Sequence, residues 1–252
     1  MLSIATWNIH KGFSQFNRRM VVHELRERLR TLNADIVFLQ EVQGQHERHA
    51  KTHDNWPAAA QHEFLAEGVW TSHAYGRNMI YDHGHHGNAI LSRFPILASH
   101  NQDVTRLRFE KRGLLHSTVA VPGLALPLHC VCAHLSLFGR SRRHQLHALA
   151  AHIEANVPEN APLIIAGDFN DWRGRACELI APRLGLTEVF SGTAAQPSRS
   201  FPAALPIFRL DRIYARGLQT EACAVHHGPP WSSISDHAAL SARFSFAPTA
   251  VS

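Results

Sequence analysis

The sequence of 252 residues has few cysteines and no long apolar run. Its four cysteines form no Cys-x-x-Cys pair and no disulfide framework of the secreted type, which indicates free thiols in a reducing compartment. No stretch reaches the roughly 18 apolar residues of a membrane-spanning helix. The N-terminal MLSIATWNIH also has no basic segment followed by an apolar one. These absences predict a cytoplasmic protein without a transmembrane segment.

The sequence also lacks charge runs, since lysine and arginine are scattered and no five like charges stand together. Basic and aromatic residues do not interleave along the chain, so the sequence shows no platform for nucleic-acid bases. The net charge of +5 nevertheless suits a polyanionic partner. No amphipathic helix of the membrane-surface type is evident, and nothing indicates an obligate protein partner.

What is present is a mixed series of strands and helices. Apolar residues at helical spacing predict helices over 18–32 and 141–157, and short apolar runs predict strands between them. Pro95 is expected to interrupt one strand, GNAILSRFPI, and the proline-rich segment before Asp211 is expected to shape a pocket rim. No repeat or linker divides the sequence. We therefore expect a single α/β domain over residues 1–252, with sheets packed face to face and helices outside.

Several predicted core strands end in polar side chains that are common in active sites. Asn8 follows SIATW, Glu41 follows IVFLQ, His134 follows HCVCA, and Asp168 with Asn170 follows LIIAG. Each residue alone fits a turn, a cap or a buried hydrogen-bonded histidine. All of them together at strand ends indicate one functional cleft.

These motifs carry a family resemblance. In chain order, TWNIHKG, ADIVFLQEV, GNAILSRFPI, AHLSL, AGDFNDW, LDRIYA and SDHAAL resemble the endonuclease/exonuclease/phosphatase family of DNase I-like, metal-dependent phosphoesterases. The resemblance spans Thr6 to about Leu240. It implies a four-layered α/β/β/α sandwich of two mixed β-sheets between helices, and a phosphoester substrate.

The resemblance also implies catalytic roles. Asp168 would orient or deprotonate the attacking water, and Asn170 would hydrogen-bond the nucleophile or a phosphoryl oxygen. His237 would donate to a phosphoryl oxygen while Asp211 holds its other ring nitrogen. His134 is the candidate general acid for the leaving group. An extended chain over 168–170 would project Asp168 and Asn170 to one side.

Metal and substrate contacts complete the expected site. Glu41, Asn8 and Asp236 are the expected ligands of Mg²⁺ or Mn²⁺, because such hard cations prefer oxygen donors and no zinc-type Cys or His spacing occurs there. Arg112, Asn88, His83 and Tyr81 are the expected substrate contacts; an exposed salt bridge is the alternative for Arg112, and a surface loop for Tyr81 and His83. Asp171 and Trp172 depart from the better-known subfamilies and are expected to bear on the choice of substrate.

The expected function is divalent-metal-dependent hydrolysis of phosphodiesters, and the basic charge favours a nuclease. A sphingomyelinase-like phosphodiesterase acting on a phospholipid headgroup, or a phosphomonoesterase, fits the motifs as alternatives. A non-catalytic binding protein of the same fold is least consistent with the sequence, because it would not need the complete set of catalytic residues.

Overall fold

The computed structural model describes residues 1–15, 19–53, 55–191 and 198–246. They form two mixed sheets of six strands each. The first sheet runs in the order β11 (Gln219–His226), β12 (Ala239–Ser245), β1 (Leu2–Asn8), β2 (Ile36–His46), β4 (Gly84–Ser92), β3 (Ser72–Tyr81). The second runs in the order β5 (Ile96–Asp103), β6 (Gly113–Val119), β7 (Leu128–His134), β8 (Leu163–Asp168), β10 (Asp211–Arg216), β9 (Thr187–Glu188).

Helices cover the outer faces of both sheets. Apolar residues of α1 (Val22–Thr31) and α3 (Gln61–Ala66) pack on the first sheet. Those of α4 (Gly139–Asn156) and α5 (Arg175–Leu184) pack on the second. The short α2 (Glu47–Thr52) directly follows β2. A third core cluster joins the inner faces of the two sheets, so the predicted four-layered α/β/β/α sandwich is confirmed.

The sequence of β2 shows why these layers form. Ile36 and Phe38 enter the core between the sheets, whereas Val37 and Leu39 pack against the helices. Side chains alternate between the two faces of a strand, and a strand that is buried on both faces must therefore be apolar throughout. The motif IVFL meets this requirement.

Most predicted elements agree with the structure, with differences at their ends. The first helix begins at Val22, and Arg18, where it was expected to begin, lies outside the described residues. The second predicted helix is α4, which begins two residues early at Gly139. The strand expected to stop at Pro95 ends earlier, at Ser92, and the chain resumes after Pro95 as β5 in the other sheet. All four cysteines are free. Within the described ranges, no helix is long and apolar enough to cross a membrane.

The topology brings the ends of four strands to one edge of the sandwich. Strands β1 and β2 pair in parallel with Asn8 opposite Gln40, and β7 and β8 pair in parallel with His134 opposite Asp168. The carboxyl ends of parallel strands meet at the same edge of a sheet, so the polar residues that follow each strand converge. Asp211, at the start of antiparallel β10, lies opposite Asp168 at that edge.

Candidate active site

A cleft of about 530 Å³ opens where these strand ends meet. Most of the predicted site residues share its wall, together with several apolar side chains. The polar members are Asn8, Glu41, Arg112, His134, Asp168, Asn170, Asp236 and His237. The apolar members are Leu137, Trp172, Phe201, Phe208 and Leu210. Residues that are distant in the sequence therefore form one pocket with a polar floor and apolar walls.

Asp168 is the centre of the polar floor and is almost completely buried. Its Oδ2 accepts a hydrogen bond from Asn8 Nδ2 at 3.1 Å and lies 3.5 Å from His134 Nε2 and 3.9 Å from His237 Nε2. Burial raises the pKa of Asp168 above its usual range, although the His237 charge and the hydrogen bonds from Asn8 and Asn170 oppose the rise. A carboxylate with a raised pKa suits proton transfer near neutral pH.

Asn170 reaches the cleft through a turn and not through an extended chain. Strand β8 ends at Asp168, and the Asn170 backbone N–H donates to Asp168 Oδ1 at 2.9 Å. Asn170 has φ of 50°, a left-handed conformation that asparagine tolerates, and its Nδ2 donates to the Leu135 carbonyl at 2.9 Å. Phe169 is buried in the core and packs on Tyr214. Asp168 and Asn170 both reach the cleft, as expected, but an Asx turn and not an extended chain brings Asn170 there.

His237 and Asp211 form a tightly bound pair. His237 Nδ1 donates to Asp211 Oδ2 at 2.8 Å, and both side chains are buried. Burial alone would lower the pKa of His237, but the carboxylates of Asp211 and Asp168 outweigh it and raise this pKa to about 10. The imidazole is therefore positively charged at neutral pH. Because Asp211 holds Nδ1, the Nε2–H group is the donor that remains for a ligand in the cleft.

The His237 backbone is positioned by Ser235, which is not among the predicted site residues. Ser235 Oγ donates to the Asn8 carbonyl at 2.7 Å and accepts a hydrogen bond from the His237 N–H at 3.2 Å. The Trp7 indole N–H also donates to the His237 carbonyl, at 2.8 Å. A serine hydroxyl often accepts the backbone N–H two residues further along the chain, so the serine of SDH was the available signal.

His134 is buried and differs from His237 in its charge. Burial and the nearby Arg112 guanidinium hold the pKa of His134 well below its usual value, although Glu41 acts in the opposite direction. Arg112 lines the same wall, where its Nε donates to the Leu135 carbonyl at 3.3 Å and its Nη2 contacts Glu110 at 3.2 Å. Arg112 is thus largely buried and anchored, which differs from the exposed salt bridge considered as its alternative.

Glu41 forms the second carboxylate region of the cleft. It has φ of 57° at a bulge in β2, where regular pairing with β4 is interrupted between Leu39 and Val42. Asn8 Nδ2 approaches Glu41 Oε1 at 3.4 Å, and Lys11 Nζ lies 3.7 Å from Oε2. Burial would raise the pKa of Glu41, but His134 and, after it, Lys11 outweigh burial and lower this pKa to about 2. Glu41 is therefore ionised at neutral pH.

Backbone strain concentrates in this region. Among the described residues, five non-glycine residues have positive φ, and four of them lie in or beside the cleft: His10, Lys11, Glu41 and Asn170. Each such conformation costs about 1 kcal/mol or more. His10 Nδ1 also lies 3.5 Å from Asp236 Oδ1. His10 and Lys11 directly follow Asn8 in TWNIHKG but were not selected from the sequence.

Three predicted contacts lie apart from the cleft wall. Asn88 is buried beneath the cleft, where its Nδ2 donates to the carbonyls of Gly113 and Cys132. Tyr81 and His83 belong to the β3–β4 hairpin, and neither lines the cleft. The Tyr81 hydroxyl accepts a hydrogen bond from Gln43 Nε2 at 3.2 Å. Asn88 thus supports the site by joining the sheets, whereas substrate contact by Tyr81 or His83 remains a prediction.

Asp171 and Trp172 have separate roles. Asp171 is completely buried, and its Oδ2 accepts a hydrogen bond from the Ala176 N–H at 2.6 Å in the first turn of α5. It therefore satisfies a backbone N–H in the first turn of α5, and it does not line the cleft. Trp172 lines the cleft, and the Arg142 guanidinium lies over its ring. The guanidinium carbon is 5.0 Å from the centroid of the Trp172 ring.

The donor atoms of the cleft fit a hard divalent cation. Glu41 and Asp236 provide carboxylates whose nearest polar partners lie 3.4 to 3.7 Å away. The Asn8 amide oxygen accepts the His10 N–H at 3.1 Å and would contribute to a metal site only through its second lone pair. Mg²⁺ and Mn²⁺ take one or two such oxygens and retain waters. Asp168, Asp211 and His237 also lie close enough together to hold an ion. Their atoms already bind one another, however, so the Glu41 region fits the cation better.

The fold and the cleft define a class of protein: an α/β sandwich with a buried carboxylate, a charged histidine and hard oxygen donors at one edge, suited to phosphoester chemistry. The chain belongs to the endonuclease/exonuclease/phosphatase family, whose model matches residues 5–237. Proteins of this family are generally hydrolases of phosphoester bonds, and they include nucleases, phosphatases and phosphodiesterases.

Individual proteins agree with this assignment. The chain is 45% identical over 240 residues to the uncharacterized protein YbhP of Escherichia coli strain K12, covering 95% of this chain and 94% of YbhP. The endonuclease/exonuclease/phosphatase from Beutenbergia cavernae has a TM-score of 0.76 at 20% identity, over 100% of this chain and 73% of that one. A mannosyl-6-phosphatase from Bacteroides thetaiotaomicron has a TM-score of 0.73 at 14% identity, over 98% and 100% of the two chains. At these identities the two structures show the shared fold.

Proposed function

We propose that this protein is a divalent-metal-dependent phosphodiester hydrolase. The observation that carries the proposal is the position of Asp168 Oδ2, which lies 3.5 Å from His134 Nε2 and 3.9 Å from His237 Nε2 in a cleft that also contains Glu41. Hydrolysis of a phosphodiester requires a base for water, donors for the phosphoryl oxygens and assistance to the leaving oxygen. The cleft contains a candidate for each requirement.

Asp168 is the proposed base. Asn8 Nδ2 and the Asn170 N–H hold its two oxygens in place, and its raised pKa favours acceptance of a proton from the attacking water. Asn170 is held by the Leu135 carbonyl and would orient the same water. A fixed base and a fixed hydrogen-bonding partner together limit the water to one line of attack.

His237 and Arg112 are the proposed donors to the phosphoryl oxygens. The charged His237 presents Nε2–H to the cleft, and the anchored Arg112 adds a second fixed positive charge. Donors already in place stabilise developing negative charge without reorganisation during the reaction. His134 would assist the leaving oxygen with a hydrogen bond from its neutral ring, because its lowered pKa does not suit it to act as the general acid expected from the sequence.

Glu41, Asn8 and Asp236 are the proposed ligands of Mg²⁺ or Mn²⁺. A divalent cation bound there would neutralise charge on the phosphoryl group. Lys11 lies 3.7 Å from Glu41 and would limit the repulsion between that carboxylate and an anionic substrate.

Two substrate classes compete. The basic charge of the sequence favours nucleic acid, so nuclease activity remains the function expected from composition. The apolar walls of the cleft, formed by Leu137, Trp172, Phe201, Phe208 and Leu210, instead favour a phosphodiester that carries an apolar group. This observation supports a phospholipid as the second candidate. A phosphomonoesterase remains a further alternative.

A substrate screen tests the proposal. Purified protein with Mg²⁺ or Mn²⁺ is assayed against bis-p-nitrophenyl phosphate, p-nitrophenyl phosphate, plasmid DNA, RNA and phospholipid vesicles. We expect the wild type to hydrolyse the diester faster than the monoester and His237→Ala to lose about three orders of magnitude in kcat. Asp171→Asn is the control, because it alters a buried aspartate but keeps an oxygen to cap α5. A folded wild type that hydrolyses none of these substrates would refute the proposed function.

A further inference from the structure

Three segments that line the cleft also carry exposed apolar side chains, here called the apolar rim. Its members are Leu137, Phe138, Trp172, Leu205, Ile207 and Phe208, all of them exposed. Leu137, Trp172 and Phe208 also line the cleft, so the rim is continuous with its interior. Scattered exposed apolar residues are ordinary, but a contiguous group around a cleft marks an interaction surface.

The rim is held in a fixed form. In the segment 198–210, the Phe208 N–H donates to the Phe201 carbonyl at 2.8 Å and the Ser200 N–H donates to the Phe208 carbonyl at 2.8 Å. This closed loop presents Leu205, 71% exposed, and Ile207, 58% exposed. On the other side of the mouth, Phe138 packs edge to face with Phe109, which is itself exposed. The exposed apolar residues are therefore held outward by ordered backbone.

Exposed arginines accompany the rim and are here called the basic belt. Its members are Arg106, Arg108, Arg140, Arg143, Arg173 and Arg175. Arg143, Arg173 and Arg175 line a groove that shares Trp172 with the cleft. The segments 106–112, 137–143, 172–175 and 199–210 contain eleven arginine and lysine residues and a single acidic one, Glu110, which is buried. Arg142 and Arg112 are themselves largely buried, and the exposed Glu178 also lines the groove, so the six exposed arginines carry most of the surface charge. The surface around the mouth is therefore both apolar and strongly positive.

We propose that the apolar rim and the basic belt dock the cleft onto an anionic phospholipid bilayer, and that the phosphodiester hydrolysed belongs to a phospholipid in that bilayer. The second part rests on the proposed function. Apolar side chains beside arginines suit the boundary between acyl chains and negative headgroups. The apolar cleft walls would then contact the part of the lipid that leaves the bilayer with its phosphate.

The same surface is less suited to nucleic acid. A platform for bases requires free aromatic faces, but Arg142 lies over one face of Trp172, and Phe138 packs edge to face with Phe109, so these two rings are only partly available for stacking. Leu137, Leu205 and Ile207 are aliphatic and offer no ring for stacking. Transfer of these aliphatic groups from water into an apolar phase is favourable. A phosphate backbone provides no such apolar phase.

The test is sedimentation of the full chain with phosphatidylcholine vesicles that contain or lack phosphatidylglycerol. We expect binding to require phosphatidylglycerol and to weaken about tenfold in Leu205→Ser/Ile207→Ser. Neither residue lines the cleft, so this variant should hydrolyse the small diester bis-p-nitrophenyl phosphate at the wild-type rate. The matched control is Leu97→Ser/Leu126→Ser; Leu97 is 59% exposed and lies at the end of β5 away from the cleft. This control should bind like the wild type.

A second variant separates charge from apolar contact. Arg140→Gln/Arg143→Gln should reduce binding to the phosphatidylglycerol vesicles, and added salt should reduce wild-type binding in the same direction. Equal binding of the wild type and both variants to the anionic vesicles would overturn the proposal. So would rim-dependent binding to a single-stranded oligonucleotide with no binding to vesicles. Vesicle binding without hydrolysis of any diester would leave the docking surface standing and refute the proposed function instead.

Discussion

Replacing Asp211 by asparagine isolates the role of the His237 charge. Asp211 Oδ2 accepts the His237 Nδ1–H at 2.8 Å, and the amide keeps the shape of the side chain while it removes the negative charge. Burial then acts on His237 with only Asp168 and Asp236 left to oppose it, so we expect the pKa of His237 to fall towards its usual value of about 6.5. The imidazole would become neutral in the range where the wild type is charged.

The size of the effect follows from this pKa. In the wild type, with a His237 pKa of about 10, nearly every molecule carries the charge at neutral pH. With a pKa of about 6.5, roughly one molecule in ten would carry it at pH ~7.5. Loss of charge alone therefore predicts about a tenfold lower rate at that pH. The altered hydrogen bond to the ring adds to the loss, and we expect a decrease of about 100-fold or more.

The assay is the pH–rate profile for bis-p-nitrophenyl phosphate between pH ~5 and ~10. Because the charged form of His237 is the active one, the variant should lose activity as pH rises above about 6.5, whereas the wild type should keep its His237 charge until the pH nears 10. Asp171 binds the N–H of Ala176 in α5 and does not contact His237, so the Asp171→Asn variant should keep the wild-type profile. An Asp211→Asn variant with the wild-type rate and the wild-type alkaline limb would refute the role given to this pair.

Three further changes test other parts of the site and fold. Glu41→Gln should raise the Mg²⁺ concentration needed for half-maximal activity by about tenfold or more, because an ionised ligand becomes a neutral amide; an unchanged Mg²⁺ titration would exclude Glu41 as a ligand. Arg112→Lys keeps the charge but loses the fork that contacts both the Leu135 carbonyl and Glu110, so kcat should fall about tenfold, and a wild-type kcat would show that charge alone suffices. Gly167→Ala should lower the free energy of unfolding in urea by more than about 2 kcal/mol, since its Cβ would lie 2.0 Å from the Ala133 carbonyl oxygen at φ of 144°. Gly174→Ala, with φ of 73° and open space around the position, should cost only about 1 kcal/mol; equal costs would remove the steric explanation for Gly167.

The fold could be predicted largely from the sequence because buried strands carry a local signal. IVFL must be apolar on both faces of β2, and Cys130 and Cys132 alternate with Val131 in β7 between two cores. The change of sheet at Pro95 could not be predicted, because a proline marks where a strand stops and not where the chain goes next. The assignment of residues 1–252 to one domain, and the cytoplasmic location, stay predictions.

The candidate site could be predicted where residues follow strands directly. Asn8, Glu41, His134 and Asp168 carry this signal, and the structure brings them to one cleft. The role of Asp171 could not be predicted, since a carboxylate beside a motif can equally cap the next helix. The apolar rim and the basic belt could not be predicted, because they combine segments that are distant in the sequence. Their aromatic and basic residues become neighbours only in the folded chain.

The most direct test of the account is the Mg²⁺ dependence of bis-p-nitrophenyl phosphate hydrolysis by chelator-treated wild type and Asp168→Asn. We expect the wild type to be inactive after chelation and to regain activity with Mg²⁺ or Mn²⁺. At saturating metal, Asp168→Asn should turn over about 1,000-fold more slowly, because the amide has the shape of the base but cannot take the proton. Full activity of the chelated wild type, or wild-type turnover by Asp168→Asn, would contradict the account.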